Sequence, residues 1–165
     1  MVLRQQIQSD LNEAVKEKEA LRSSVFRLLL AAINNKETEK RTKIWKAKPK
    51  ASVQELEKES KLTDEEIIDV VSSEIKKRRE SIELFERGGK QDMADKEKKE
   101  AEILGKYLPE QLSEEEIKKL AKAAVEKVGA KEQKDMGKVM GMLTPQIKGK
   151  ADMSLVSKIV KELLA

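Results

Sequence analysis

Apolar residues recur along this chain at intervals of three and four, and that spacing confines it to helices that each bury one face. Leu3, Ile7, Leu11, Ala14 and Val15 draw one stripe; Leu21, Val25, Leu28, Leu29, Ala32 and Ile33 draw a second, wider one. Thr63, followed by Asp64, Glu65 and Glu66, is a capping box in which the hydroxyl takes a free backbone N–H and Glu66 reaches back to the cap. A third helix therefore starts there, buries Ile67, Val71, Ile75, Ile82 and Phe85, and stops at Gly88 and Gly89 after about 24 residues, or ~36 Å. A fourth is expected from about Gln91 to Leu108, packed only through its second half (Ala101, Leu104, Leu108) and ended by Pro109. Ser113 with Glu116 opens a fifth, carrying Ile117, Leu120, Ala121, Ala124, Val125 and Val128 and closed by Gly129. Asp135 is expected to cap a segment with Met136, Val139, Met140, Leu143 and Ile147 on one face, which Pro145 should kink or divide. Asp152 caps a last helix carrying Leu155, Val156, Ile159, Val160 and Leu163.

Residues from about 42 to 62 keep Lys and Glu but lose the stripe, and Pro49 interrupts them. A frayed helix end and an exposed Lys-rich connection are expected there, with Val53 and Leu56 in no more than a turn. The fold class is all-α, with seven helices: an extended N-terminal bundle of about four over residues 1–108 and a compact three-helix domain over 109–165.

Composition supports helices and narrows the chemistry. Four aromatic residues and seven glycines in 165 residues are too few for a β-sandwich or barrel. With no Cys and no His, the chain has no thiol nucleophile, disulfide, imidazole acid or base, or zinc site built on sulfur or nitrogen. Its 66 charges largely cancel, leaving a net charge of +4, but the balance is local: +5 over residues 36–50 and +3 from Gly129 onward. No stretch reaches the roughly 18 uncharged apolar residues of a membrane span, and the N-terminal residues lack a signal-peptide core. A cytoplasmic protein is expected, with no membrane among its partners and no cofactor or metal.

Several clusters invite a chemical reading. Gly137, Lys138 and Gly141 with Gly149 and Lys150 superficially resemble a phosphate-cradling loop, but Thr144 stands where a Walker A motif needs its first Gly, and Ala151 where it needs Ser or Thr. Gly137 and Gly141, four apart on a helix, are expected to let another helix approach closely. The alternative is that exposed backbone at Gly149, between Lys148 and Lys150, meets a phosphate; Asp152, already at the adjacent cap, argues against a tight anion site. Lys76, Lys77, Arg78 and Arg79 fan over several faces of the third helix, either as a solvated surface paired with Glu80 and Glu83 or as a contact strip for phosphates. Trp45 among Lys43, Lys46, Lys48 and Lys50 can cap the apolar end of the bundle, stack a base or rest at a membrane interface. The carboxylate clusters at Asp64 to Glu66 and Glu114 to Glu116 sit in first helical turns, where capping and the helix dipole account for them. No catalytic residue is assigned.

The segment Lys134-Asp135-Met136-Gly137-Lys138-Val139-Met140-Gly141, followed by Lys148-Gly149-Lys150-Ala151-Asp152, resembles the signature of the GatB/YqeY family. Tyr107 to Ser113, Leu62 to Glu66, Ile75 to Ile82, Phe85 to Met93 and Arg27 to Ile33 extend the resemblance over nearly the whole chain. The Lys-rich connection is longer than the family's usual linker and leaves Trp45 without a counterpart. The resemblance implies a larger helical part and a three-helix tail similar to the C-terminal domain of the B subunit of glutamine-dependent aminoacyl-tRNA amidotransferase, which contacts tRNA. It also implies carbon–nitrogen ligase activity with glutamine as amido donor, although neither catalytic part of that enzyme is present here. The expected role is a non-catalytic tRNA-binding accessory using Lys138, Lys148, Lys150 and Lys158, with Lys76, Lys77, Arg78 and Arg79 adding contacts. The alternative is a module that docks on another helical protein, such as an amidotransferase subunit, through apolar grooves lined by Met136, Met140, Met142 and Met153.

Overall fold

Helix starts in this chain are fixed by the side chain just before them at Ser52, Thr63, Ser113 and Asp152. The first three form complete capping boxes with Glu55, Glu66 and Glu116, and Asp152 accepts the Ser154 N–H. The computed structural model describes residues 2–165. Among them lie eight α-helices and no strand: α1 (Val2–Lys16), α2 (Ala20–Ala47), α3 (Val53–Ser60), α4 (Asp64–Arg87), α5 (Gln91–Gly105), α6 (Glu114–Val128), α7 (Met136–Ile147) and α8 (Met153–Leu163). They divide into two units, one ending at Tyr107 and the other spanning Leu108–Ala165.

In the first unit α2 is the central element, packing against α1, α3, α4 and α5, while α4 and α5 form the closest pair. Ile7, Ala14, Val25, Leu29, Ile33, Ile67, Val71 and Leu104 are buried there. Polar contacts tie distant segments together. The buried Glu37 carboxylate accepts from Arg4 (2.7 Å), Lys61 (3.2 Å) and the Leu62 N–H (3.3 Å). Tyr107 packs edge-on against Phe26, with ring centroids 6.0 Å apart, and donates its hydroxyl to Asp10.

The expected exposed connection is mostly helical. α2 runs on to Ala47, α3 adds an eighth helix, and Ser60 and Leu62 are buried. The stripe fades after Ile33 because the one residue α2 buries beyond it is the charged Glu37. α3, at 8 residues, is too short to show a period. The helix after Gly89 ends at Gly105, short of Leu108, and its polar first half is packed too, with Ala94 fully buried. Gly89, at φ 68°, turns the chain so that α5 folds back along α4 from its first turns.

In the second unit α6, α7 and α8 enclose a core of Ile117, Ala121, Ala124, Val139, Leu143, Ile147, Val156, Ile159 and Val160. Gly129 closes α6 in the left-handed conformation, φ 64°. Asp135 does not cap α7. It ends a turn of 3₁₀ helix (Gln133–Asp135) with helical backbone angles, and its carboxylate accepts from the Lys131 N–H (3.3 Å) and Lys138 (2.9 Å). Pro145 lies in the last turn of α7 and does not divide it, since the hydrogen bond it removes and the Gly141 carbonyl its ring crowds fall close to the helix end.

Candidate nucleic-acid interface

α7 buries Val139, Leu143 and Ile147, so its opposite face points to solvent and presents Gly137, Lys138, Gly141, Thr144, Pro145 and Lys148, all exposed. Gly137 and Gly141 do not admit a neighbouring helix: a Cβ built on either meets no atom within 4 Å. The close helix approach expected from their spacing is thus absent, because positions 137 and 141 lie on the side away from 139, 143 and 147. Neither glycine has a positive φ, so nothing in the local backbone requires it. Two glycines in one helix, Gly141 in its interior destabilising by about 1 kcal/mol relative to Ala and Gly137 in the first turn by about half that, leave a strip of bare backbone on the surface. Pro145 deprives the Gly141 carbonyl of its i+4 donor on the same strip, and Thr144 returns its hydroxyl to the Met140 carbonyl (2.7 Å).

The other residues of the tail signature have internal roles. Val139 is core; Met136, Met140 and Ala151 pack against that core; Gly149 turns the chain at φ 72°; Asp152 caps α8. The turn after α7 is held from outside by Leu112, whose N–H donates to the Lys150 carbonyl (2.7 Å), and by Gln111, which donates to the Gly149 carbonyl (2.7 Å). Lys148 and Lys150 flank that turn with exposed side chains. Lys138 lies ten residues earlier, about 15 Å along the helix, and pairs with Asp135 at 2.9 Å. Lys158 stands on α8 facing α6, where Glu114 is held below the ordinary carboxylate range first by Lys118 and more weakly by Lys158. The four tail lysines therefore do not form one patch. Lys138 and Lys148 border the bare strip, Lys150 extends it, and Lys158 lies on another surface.

In α4 the run of cations is split. Lys76 is exposed and Lys77 pairs with Glu74 at 2.6 Å. Arg78 is buried at 7% exposure, donating to Glu100 (3.2 Å) and to the Glu74 carboxylate (3.3 Å), so it is a structural ion pair rather than a phosphate contact. Arg79 is exposed and engaged. For Lys77 and Arg78 the partners are Glu74 and Glu100. Met136, Met140 and Met142, read as an adaptable surface, are packed against the tail core, and Met153 is partly exposed. Trp45 does not cap the bundle; it is 54% exposed near the end of α2.

A groove of about 840 Å³ between α2 and α4 has an apolar floor including Leu28, Ala32, Leu62 and Val70, with charged side chains on its rim. The Glu66 carboxylate beside it is held below its ordinary range first by Lys40 and then by the Thr63 N–H, the signature of a helix cap and ion pair. Glu116 is lowered likewise by the Ser113 N–H. A general acid or base working near neutral pH needs a shift in the other direction. Among the described residues, no three His, Cys, Asp or Glu side chains converge to hold a metal, and no helix is long and apolar enough to cross a membrane.

A family model described as Yqey-like protein matches residues 4–164. The chain is similar to Altered inheritance of mitochondria protein 41, mitochondrial, from Pyrenophora tritici-repentis, at 35% identity over 106 residues, 62% of this chain and 58% of that protein. It is similar to the protein of the same name from Candida glabrata at 28% identity over 104 residues, 63% of this chain and 48% of that one. The chain thus spans about half the length of these curated relatives.

Proposed function

The chain belongs to the YqeY-like protein family, and on that premise we propose that it is a non-catalytic RNA-binding accessory, with tRNA as its ligand and the outer face of α7 as its contact surface. The observation that carries the proposal is the pair of glycines on that face, which weaken the helix and serve no contact within the chain. A sugar–phosphate backbone can approach bare helix more closely than one clothed in side chains. Lys138, Lys148 and Lys150 supply cations for phosphates, and the Gly141 carbonyl, short of its helical donor, suits a ribose 2′-hydroxyl, the group that separates RNA from DNA. Resemblance of the tail to the tRNA-contacting domain of the amidotransferase B subunit supports the same ligand. A cytoplasmic location is proposed with it; the fungal relatives are named mitochondrial, and that name describes them.

The test is titration of labelled tRNA at two salt concentrations beside the Lys148→Glu/Lys150→Glu variant. Binding should weaken with salt by about 0.7–0.9 log units per log unit of salt for each phosphate engaged, and the variant should lose about two such contacts. Salt-insensitive binding, or a variant that binds like the parent, overturns the proposal. A second reading, docking of an amphipathic helix from another protein, is favoured by the groove between α2 and α4 with its apolar floor. Ammonia transfer or ATP turnover by the purified chain would instead restore the ligase implied by the resemblance.

A further inference from the structure

Residues 41–54 carry Arg41, Lys43, Lys46, Lys48 and Lys50 and no acidic side chain. They form the last turns of α2, the bend at Pro49 and the start of α3, so the charge gathers at one corner of the first unit. Lys48 closes the corner on Glu59 at 2.9 Å, and Arg41 donates to the Ser60 hydroxyl at 3.5 Å. Lys46 and Lys50 extend into solvent, Lys43 lines the rim of the groove between α2 and α4, and Glu55 caps α3 beside Val53. Between these cations stand two large apolar side chains that the fold leaves uncovered, Trp45 at 54% and Val53 at 71% exposure. Ala47, Pro49 and Ala51 complete the bend, so the residues between the lysines are small or apolar.

We propose that the α2–α3 corner is a peripheral docking tip for an anionic lipid surface, with Trp45 and Val53 entering the interfacial region and Lys46 and Lys50 meeting headgroup phosphates. Tryptophan settles at the boundary between headgroups and acyl chains, and lysine stems lie along apolar surface while their ammonium groups stay in the polar layer. A base-stacking platform would use the indole and the lysines but leave Val53 without a role; a lipid interface uses all three. The sequence-based expectation of no membrane partner rested on the lack of a spanning segment, and a tip needs none. Charge complementarity sets the strength, at roughly fivefold in affinity for each lysine near an anionic surface.

Trp45 is the sole tryptophan of the chain, so its emission reports on this corner alone. The intact protein is mixed with phosphatidylcholine vesicles with and without phosphatidylglycerol. The expected result is a blue shift of Trp45 emission and shielding from acrylamide with the anionic vesicles only, both reversed by high salt. Lys46→Glu/Lys50→Glu, which keeps the reporter, should weaken binding by about 25-fold or more, and Val53→Ser should reduce the blue shift. Absence of binding to anionic vesicles at low salt overturns the proposal. So does vesicle binding that leaves Trp45 emission unchanged, because the contact then lies elsewhere. Quenching of Trp45 by single-stranded RNA without any response to vesicles also overturns it and transfers the corner to nucleic acid.

Discussion

Gly141→Ala separates the stability of the tail from its binding, because the two should respond in opposite directions. Gly141 lies in the interior of the 12-residue α7, its φ is not positive, and a Cβ there meets nothing within 4 Å. Alanine therefore gains the full difference in helix propensity, about 1 kcal/mol, with no steric offset. For a cooperative unit of this size that is a rise in midpoint of about 4–8 °C. Gly137, in the first turn of α7, should add about half as much, since fewer intrahelical hydrogen bonds depend on it. Thermal unfolding followed by circular dichroism reads this gain. The same methyl group projects into the space we assign to the RNA backbone, and overpacking an interface by one such group costs about 1–3 kcal/mol, a loss of roughly fivefold or more in tRNA affinity. A destabilised Gly141→Ala protein would mean that the glycine serves the fold. A stabilised protein with unaltered tRNA affinity would remove the outer face of α7 from the contact surface.

Arg78→Ala leaves the buried Glu100 carboxylate without its main partner and should lower stability by about 3–5 kcal/mol, read as a drop in the urea midpoint; Arg78→Met/Glu100→Leu should recover most of the loss. Tyr107, the only tyrosine, has its ionisation raised first by burial and then by the hydrogen bond to Asp10, so the folded state favours the neutral phenol. Its contribution to stability is complete below the unfolded value near 10 and is lost as the pH rises beyond it. In an alkaline titration, phenolate absorbance should thus appear together with unfolding; an ordinary titration of the folded protein near pH 10 would refute that packing.

Signals carried within a few residues were legible from sequence. Thr63 with Glu66, Ser113 with Glu116, Gly129 and Asp152 all act where their spacing implied, because a cap is a contact between neighbours in the chain. Ser52 with Glu55 is the same signal and marks α3, but the Lys-rich surroundings and Pro49 suggested a connection instead. Asp135 is the local signal that misled, since its carboxylate takes the Lys131 N–H and Lys138 instead of capping α7, and the other misses depended on distant partners. Glu37 reads as a surface residue until Arg4, Lys61 and Leu62 are brought to it, and Arg78 reads as a phosphate contact until Glu100, 22 residues on, faces it. For Gly137 and Gly141 the shared face was legible from their spacing; that it turns away from the core follows from Val139, Leu143 and Ile147. Of the carboxylate clusters explained by capping in the sequence, Glu66 and Glu116 are caps in the structure, while Asp64 accepts from the Leu3 N–H and Glu114 pairs with Lys118.

Glu37 also governs how the first unit comes apart. A helix of 15 residues such as α1, packed on the rest of the unit along one face, would ordinarily open on its own and exchange its amide hydrogens faster than the interior. Here, releasing α1 withdraws Arg4 from a carboxylate that is otherwise closed off from water, and releasing residues 61–62 withdraws its remaining partners. Either departure alone takes part of the compensation from that charge and leaves the rest to the other segment, so the openings of the two segments are coupled through one carboxylate. Arg4→Ala should therefore speed hydrogen exchange not only across α1 but also at the entry to α4, which separate openings would leave untouched.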